Sequence, residues 1–386
     1  MYKIKKLNAI SDIVKSHLTP DSYEISDDEK NPVGVLVRSA SMHEYDVNPE
    51  LLCVARAGAG YNNIPYNDFA EKGIVVFNTP GANANGVKEL VICGMLLSAR
   101  DIYGGIAWAE QLKGQDEIGK AVEKGKKNFA GGEISGKNLG IVGMGAIGAL
   151  VANAAIALDM EVTGYDPGMT VESALSLSRS VSRGTSMDII FAKSDFITLH
   201  VPLLEQTKNM INKSTLAKCK DGVVILNFAR GELVDTDAIL EALASGKVAK
   251  YVTDFPDEKL IGVKNVIAIP HLGASTKESE ENCAEMAAKQ IKEYIENGNI
   301  RNSVNFPDCE QPRSGAYRLG IMHKNVTNMV GQITQKIADE NHNIANMINK
   351  SRGDLAYTLI DLDDSPSDVC VTSLEQIDGI IKVRSL

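Results

Sequence analysis

The chain has 386 residues, of which 44% are hydrophobic and 23% charged, with a formal net charge of −10. That length supports two or three domains with their own cores, and an acidic balance without a basic stripe excludes a nucleic-acid partner. Six scattered cysteines without a C-x-x-C pair give no metal spacing and suit a reducing compartment. Met1–Lys6 is charged and lacks the apolar run of a signal peptide, and no segment is long and apolar enough to span a membrane, so a cytoplasmic protein is expected.

In chain order, residues 33–38, 51–55 and 74–77 are short apolar runs separated by helical patterns, which predicts a small α/β unit. Residues 84–100 read as a long apolar helix, and residues 104–132, rich in Gly, Lys and Glu, as a surface wrap. Apolar strands follow at 139–142, 161–165, 195–199, 223–227, 250–253 and 265–269, alternating with helical patterns as in a parallel sheet with right-handed crossovers. A long helix at 276–297 returns the chain to the first unit, and residues 302–314, with Pro307 and Pro312, read as a linker. Beyond it come a strand (317–322), a helix (328–341), two strands (343–348 and 354–361), a turn (363–368), a helix (372–378) and a strand (379–384). That βαββαβ order predicts a ferredoxin-like unit.

The chemistry starts at Ile141-Val142-Gly143-Met144-Gly145-Ala146-Ile147-Gly148, a buried strand, a glycine turn and a helix start. With Asp166 at the end of the next strand, this is the G-x-G-x-x-G dinucleotide fingerprint. Gly143 permits the turn, Gly145 admits the pyrophosphate, and Gly148 lets helix and strand approach. The helix start at Ala146 and Ile147 offers its N–H groups to phosphate. Asp166 has no Arg or Lys beside it, so it accepts from ribose hydroxyls and repels a 2′-phosphate: NAD is favoured over NADP.

Three segments at predicted strand ends converge on the cofactor crevice: Asn227–Gly231, Thr253–Phe255 and Pro270–Ser275. His271 is the candidate base for the hydroxyl proton of a secondary alcohol. Arg230 offers a bidentate fork for a carboxylate. These segments, the fingerprint and the Leu199–Leu203 run resemble the D-isomer-specific 2-hydroxyacid dehydrogenases over residues 30–300. The resemblance implies a doubly wound Rossmann nucleotide domain (95–275) inserted in a flavodoxin-like substrate domain (1–94 and 276–301). The linker (302–314) then leads to a ferredoxin-like ACT domain (315–386).

The resemblance also implies roles. Asp254 would hydrogen-bond the nicotinamide amide, and His200, Pro202, Ala229, Gly273 and Ala274 would lie beside the cofactor. The family places a glutamate before a proline to pair with the histidine; here the strict offset falls on Lys259, and Glu258 is the expected partner, with Asp257 the alternative. Arg38-Ser39 and Arg56-Ala57-Gly58 resemble substrate motifs of the members that oxidise D-3-phosphoglycerate, and Lys126 matches a lysine donated across their dimer. That implies NAD-dependent oxidation to 3-phosphohydroxypyruvate, the first step of the phosphorylated route to L-serine, by a homodimer or homotetramer. His323, Asn325, Val326 and Asn343 fall where an ACT pair binds an L-serine effector. The alternatives are a dehydrogenase of hydroxypyruvate, glyoxylate or 2-hydroxyglutarate, or a non-catalytic NAD or amino-acid sensor on the same scaffold.

Overall fold

A computed structural model describes all of residues 1–386. The chain forms two compact units, Met1–Asn83 with Glu280–Leu386, and Ala84–Ser279.

The first unit begins with a parallel sheet of β1 (Tyr2–Lys6), β2 (Tyr23–Ser26), β3 (Gly34–Val37), β4 (Cys53–Arg56) and β5 (Val75–Phe77), in the order β2-β1-β3-β4-β5. That is the flavodoxin-like order. β3 and β4 up to Ala55 are apolar and buried because both faces are covered. β1 and β2 were not expected from the sequence: three lysines mask the alternation in β1, where Ile4 alone is fully buried. The helix Lys277–Asn297, from Glu280 on, lays Ala284, Ala287, Ala288 and Ile291 on this sheet, small residues that let helix and strands approach closely.

The same unit carries an antiparallel sheet of β13 (Tyr317–Lys324), β14 (Ile344–Arg352), β15 (Leu355–Leu362) and β16 (Ile380–Ser385), ordered β14-β15-β13-β16. With the helices Met329–Asp339 and Asp368–Glu375 it makes the ferredoxin-like pattern. The second helix starts before the expected 372, because the Ser367 hydroxyl caps it by accepting from the Cys370 N–H. One sheet face packs Leu319, Ile321 and Ile360 on these helices. On the other, Met322, Tyr357 and Leu359 share a core with Tyr294, Ile295 and Ile300.

The segment expected as a linker runs through that core, with Phe306, Cys309 and Gln311 buried. Arg318 and Asp361 form a fully buried ion pair there. Gln311 and Ser314 also donate to the Asp361 carboxylate, and Arg384 donates to the carbonyls of Tyr294 and Ile295 with its guanidinium 4.5 Å from the Tyr294 ring centre.

The second unit is built on β6 (Asn138–Val142), β7 (Glu161–Tyr165), β8 (Ser182–Arg183), β9 (Phe196–Leu199), β10 (Val223–Asn227), β11 (Val248–Thr253) and β12 (Val266–Ala268). Their order, β12-β11-β10-β9-β6-β7-β8, is doubly wound and all parallel. The strand order reverses between β6 and β9, where such sheets bind ligands. The segment expected as a surface wrap, residues 104–132, takes in most of the helix Ile102–Glu110 and all of the helix Ile118–Gly125, neither with a buried residue. No single helix of the chain is long and apolar enough to cross a membrane.

Candidate active site

β6 ends at the switch point in Gly143, whose φ of +93° suits glycine. A Cβ there would stand 2.4 Å from the His200 carbonyl oxygen, so the turn after β6 and the chain after β9 meet too closely for any other residue. At Gly148 a Cβ would come within 2.0 Å of the Gly143 oxygen, which explains the third glycine. Gly145 caps the helix Ala146–Ala157, and nothing lies within 4 Å of where its Cβ would project. That open space in front of the N–H groups of Ala146 and Ile147 fits a pyrophosphate. Asp166, at the end of β7, accepts from Met144 N at 2.8 Å and Gly168 N at 2.8 Å, one bond per oxygen. Each oxygen keeps acceptor capacity for a ribose hydroxyl.

Two buried side-chain atoms in this unit have no protein partner, Asp254 Oδ1 and His200 Nδ1. Such atoms are costly unless a ligand satisfies them. Burial pushes the Asp254 carboxyl upward, opposed by the charges of His271 and Arg230 and by backbone N–H groups including that of Gly273. Burial pushes His200 down to about 3, so its imidazole is neutral, with Nε2 3.0 Å from Thr198 Oγ1. Pro202 contributes its carbonyl to the Thr207 hydroxyl at 2.7 Å, which folds the loop after β9. An unpaired buried acceptor, a fixed ribose carboxylate and an open glycine cradle together fit NAD.

The candidate reacting groups follow β10 and β12. Buried Asn227 donates to the Arg230 carbonyl at 2.8 Å and accepts from the Ala229 N–H at 3.2 Å, which turns the chain so that Arg230 is exposed. Phe255 then organises the pair: its ring lies 5.8 Å from the Arg230 guanidinium carbon and packs edge-on against the His271 ring at 4.4 Å. Phe255 lies in the Thr253–Phe255 segment expected at the crevice, but its packing role had no signal beyond an aromatic residue directly after Asp254. His271 is exposed, and Gly273 and Ala274 follow it, with the Gly273 Cβ position 3.6 Å from Asp254 Oδ2.

The acids expected beside His271, Glu258 and Asp257, make no hydrogen bond to it here. Asp257 caps its own turn, accepting from the N–H groups of Lys259 and Leu260 and from the Thr236 hydroxyl. Lys259 bonds Asp237 at 2.6 Å. Glu258 is exposed in that turn. Asp254 is the carboxylate that senses the His271 charge.

In the first unit, Arg38 follows β3 and Arg56 ends β4, adjacent parallel strands with Val37 paired to Arg56. Arg56 Nε donates to the Arg38 carbonyl at 3.1 Å, Arg38 pairs with Glu280 at 2.7 Å, and Ser39 Oγ accepts from Asn8 at 3.0 Å. Ala57 is tied to Val37 by its N–H, and Gly58 has a φ of +152°. A Cβ on Gly58 would collide with the Arg56 guanidinium, which lies over it.

Of the effector candidates, His323 is buried with Nδ1 2.9 Å from the Lys324 carbonyl and Nε2 2.8 Å from Thr358 Oγ1. Asn325 donates to the Gly353 carbonyl, Asn343 to Asp363, and Val326 is exposed. Lys126 is exposed and pairs with Glu123.

Residues 95–273 match the family described as D-isomer specific 2-hydroxyacid dehydrogenase, NAD binding domain. The chain is 34% identical to D-3-phosphoglycerate dehydrogenase of Haemophilus influenzae, over 88% of this chain and 82% of that one. It is 39% identical to hydroxypyruvate reductase of Thermotoga maritima over 67% of this chain and 84% of that one. Among solved structures it resembles NAD+-bound 3-phosphoglycerate dehydrogenase of Entamoeba histolytica, with TM-score 0.61 and 27% identity, covering 79% of this chain and 98% of that one. The chain belongs to the D-2-hydroxyacid dehydrogenases, NAD-dependent oxidoreductases.

Proposed function

We propose that the chain oxidises D-3-phosphoglycerate to 3-phosphohydroxypyruvate, the first step of the phosphorylated route to L-serine. The observation that carries the substrate is the pair of guanidiniums at neighbouring strand ends, Arg38 and Arg56, beside the Ser39 hydroxyl. Two forks and a hydroxyl suit a phosphate dianion. Arg230 would hold the substrate carboxylate. His271 would take the C2 hydroxyl proton at its imidazole nitrogen, and Phe255 fixes the ring's direction. With its pyrophosphate held at the glycine cradle, NAD would supply the hydride acceptor. Asp254 Oδ1 would accept from the carboxamide, and neutral His200 would line the site without adding charge.

Phosphate recognition is tested by NADH formation from D-3-phosphoglycerate, compared with NADH consumption on hydroxypyruvate, glyoxylate and 2-oxoglutarate. Arg38→Ala should raise KM for the phosphorylated acid by about tenfold or more, while KM for hydroxypyruvate stays within about twofold. Equal shifts for both would sink the assignment and favour the second reading, a hydroxypyruvate reductase, which the 39% identity to the Thermotoga maritima enzyme keeps in view.

Self-association belongs to the same proposal. The helices Ile102–Glu110 and Ile118–Gly125 expose Tyr103, Ile106, Ile118 and Val122, an apolar surface suited to a second copy. Sedimentation at a monomer mass across micromolar concentrations would refute it. L-serine as effector is tested by adding it to the assay; an unchanged rate would refute serine control.

A further inference from the structure

A cavity of about 520 Å³ in the first unit lies away from every residue assigned to catalysis, cofactor or effector. Its walls come from four places: Tyr61 in the loop after β4, Asn78 after β5, Asn302 and Asp308 in the buried connecting segment, and Lys350 and Arg352 at the end of β14. Loops of the first parallel sheet and the end of a C-terminal strand both contribute to it.

The lining is cationic in a chain whose net charge is −10. Lys350 is exposed and its ammonium makes neither hydrogen bond nor ion pair. Arg352 Nη1 donates to the Ser303 carbonyl at 2.7 Å, which fixes the guanidinium and leaves the rest of its fork for a ligand. Asp308 is the sole carboxylate of the lining, and Asn78, Asn302 and Ser351 add neutral polar groups. Fixed cations with neutral donors beside them favour an anion of more than one charge.

The cavity is also wired to the loop that carries the substrate motif. Asn78 donates to the Ala59 carbonyl at 2.6 Å and accepts at its own carbonyl from Gln290 at 2.9 Å, while the next residue, Thr79, donates to the Gly58 carbonyl at 3.1 Å. Ala59, in the loop 57–63, is therefore held by the same Asn78 that lines the cavity.

We propose that this cavity is a second ligand site, taking a small multivalent anion with carboxylate or phosphate groups on Lys350 and Arg352, and that occupancy orders the loop 57–63. Loop and cavity share Asn78, so binding at one stiffens the other. The test is calorimetric titration of the full-length protein with citrate and, separately, inorganic phosphate, at ionic strength matched with sodium chloride. Binding of at least one probe is expected to persist in Arg38→Ala, which removes the proposed substrate phosphate fork, and to weaken about tenfold or more when Lys350→Glu is added to that background. No binding of either probe, an unchanged affinity on adding Lys350→Glu, or loss of binding in Arg38→Ala would each overturn the site. The affinity arm is independent of turnover and so stands or falls apart from the proposed function. With the bound probe saturating, amide exchange across residues 57–63 should slow by about threefold or more. Unaltered exchange would overturn the ordering of the loop.

Discussion

At the scale of single residues, the candidate site combines two exposed side chains, Arg230 and His271, with several buried and fixed ones. His271 is exposed and held by Phe255, so its removal should cost chemistry and little else. His271→Ala is expected to lower kcat by about 100-fold or more while NAD binding, read by calorimetry, stays within about twofold. His200 gives a pH dependence. Burial lowers its pKa from 6.5 to about 3, so the unfolded chain takes up a proton in an interval where the folded chain does not. Its contribution to stability is whole above 6.5 and is lost as pH falls from 6.5 towards 3. The melting temperature of the cofactor-free protein should therefore drop more between about pH 7 and about pH 5 than that of His200→Gln, which has no proton to gain. Equal drops would show that His200 is not held neutral. Much of this site could be read from the sequence, because a fingerprint glycine is dictated by local backbone geometry. Phe255 could not, since edge-on packing between two strand ends leaves no spacing to detect. The place of Asp257 was equally hidden, because a carboxylate that caps its own turn looks in sequence like any acid beside a histidine loop.

At the scale of elements, periodicity found the strands that are buried on both faces and missed those written in charge. β1 alternates correctly, yet its lysines conceal it until β2 and β3 are seen on either side. The C-terminal strands were legible, but the role of Arg318 in β13 was not, since an arginine and an aspartate in amphipathic strands read as solvent-facing. Burial alone would raise the Asp361 carboxyl; bonds from Arg318, Ser314 and Gln311 outweigh it and hold the group well below the carboxylate range. With both side chains fully buried, removal of one partner leaves an uncompensated charge. Asp361→Asn should cost about 3–5 kcal/mol in denaturant unfolding, and the double change Arg318→Met with Asp361→Leu considerably less. A loss under about 1 kcal/mol for the single change would mean the pair is solvated in solution.

At the scale of the whole molecule, the C-terminal sheet is a structural part of the unit that carries Arg38 and Arg56. Tyr357 donates to the Gly298 carbonyl at 2.8 Å, and Met322 and Leu359 complete the core around Tyr294. Removal of residues 317–386 should accordingly leave a chain that aggregates at 25 °C, roughly ambient temperature, as read by light scattering; a soluble, cooperatively melting truncation would contradict this. Sequence reading separated the two parts because Pro307 and Pro312 resemble punctuation, whereas here they bracket buried chain. During synthesis the first sheet emerges roughly 200 residues ahead of the helix that covers it, an interval of about 10–40 s at typical elongation rates. The intervening nucleotide-binding unit is contiguous, so it should become native before the unit that carries Arg38 and Arg56.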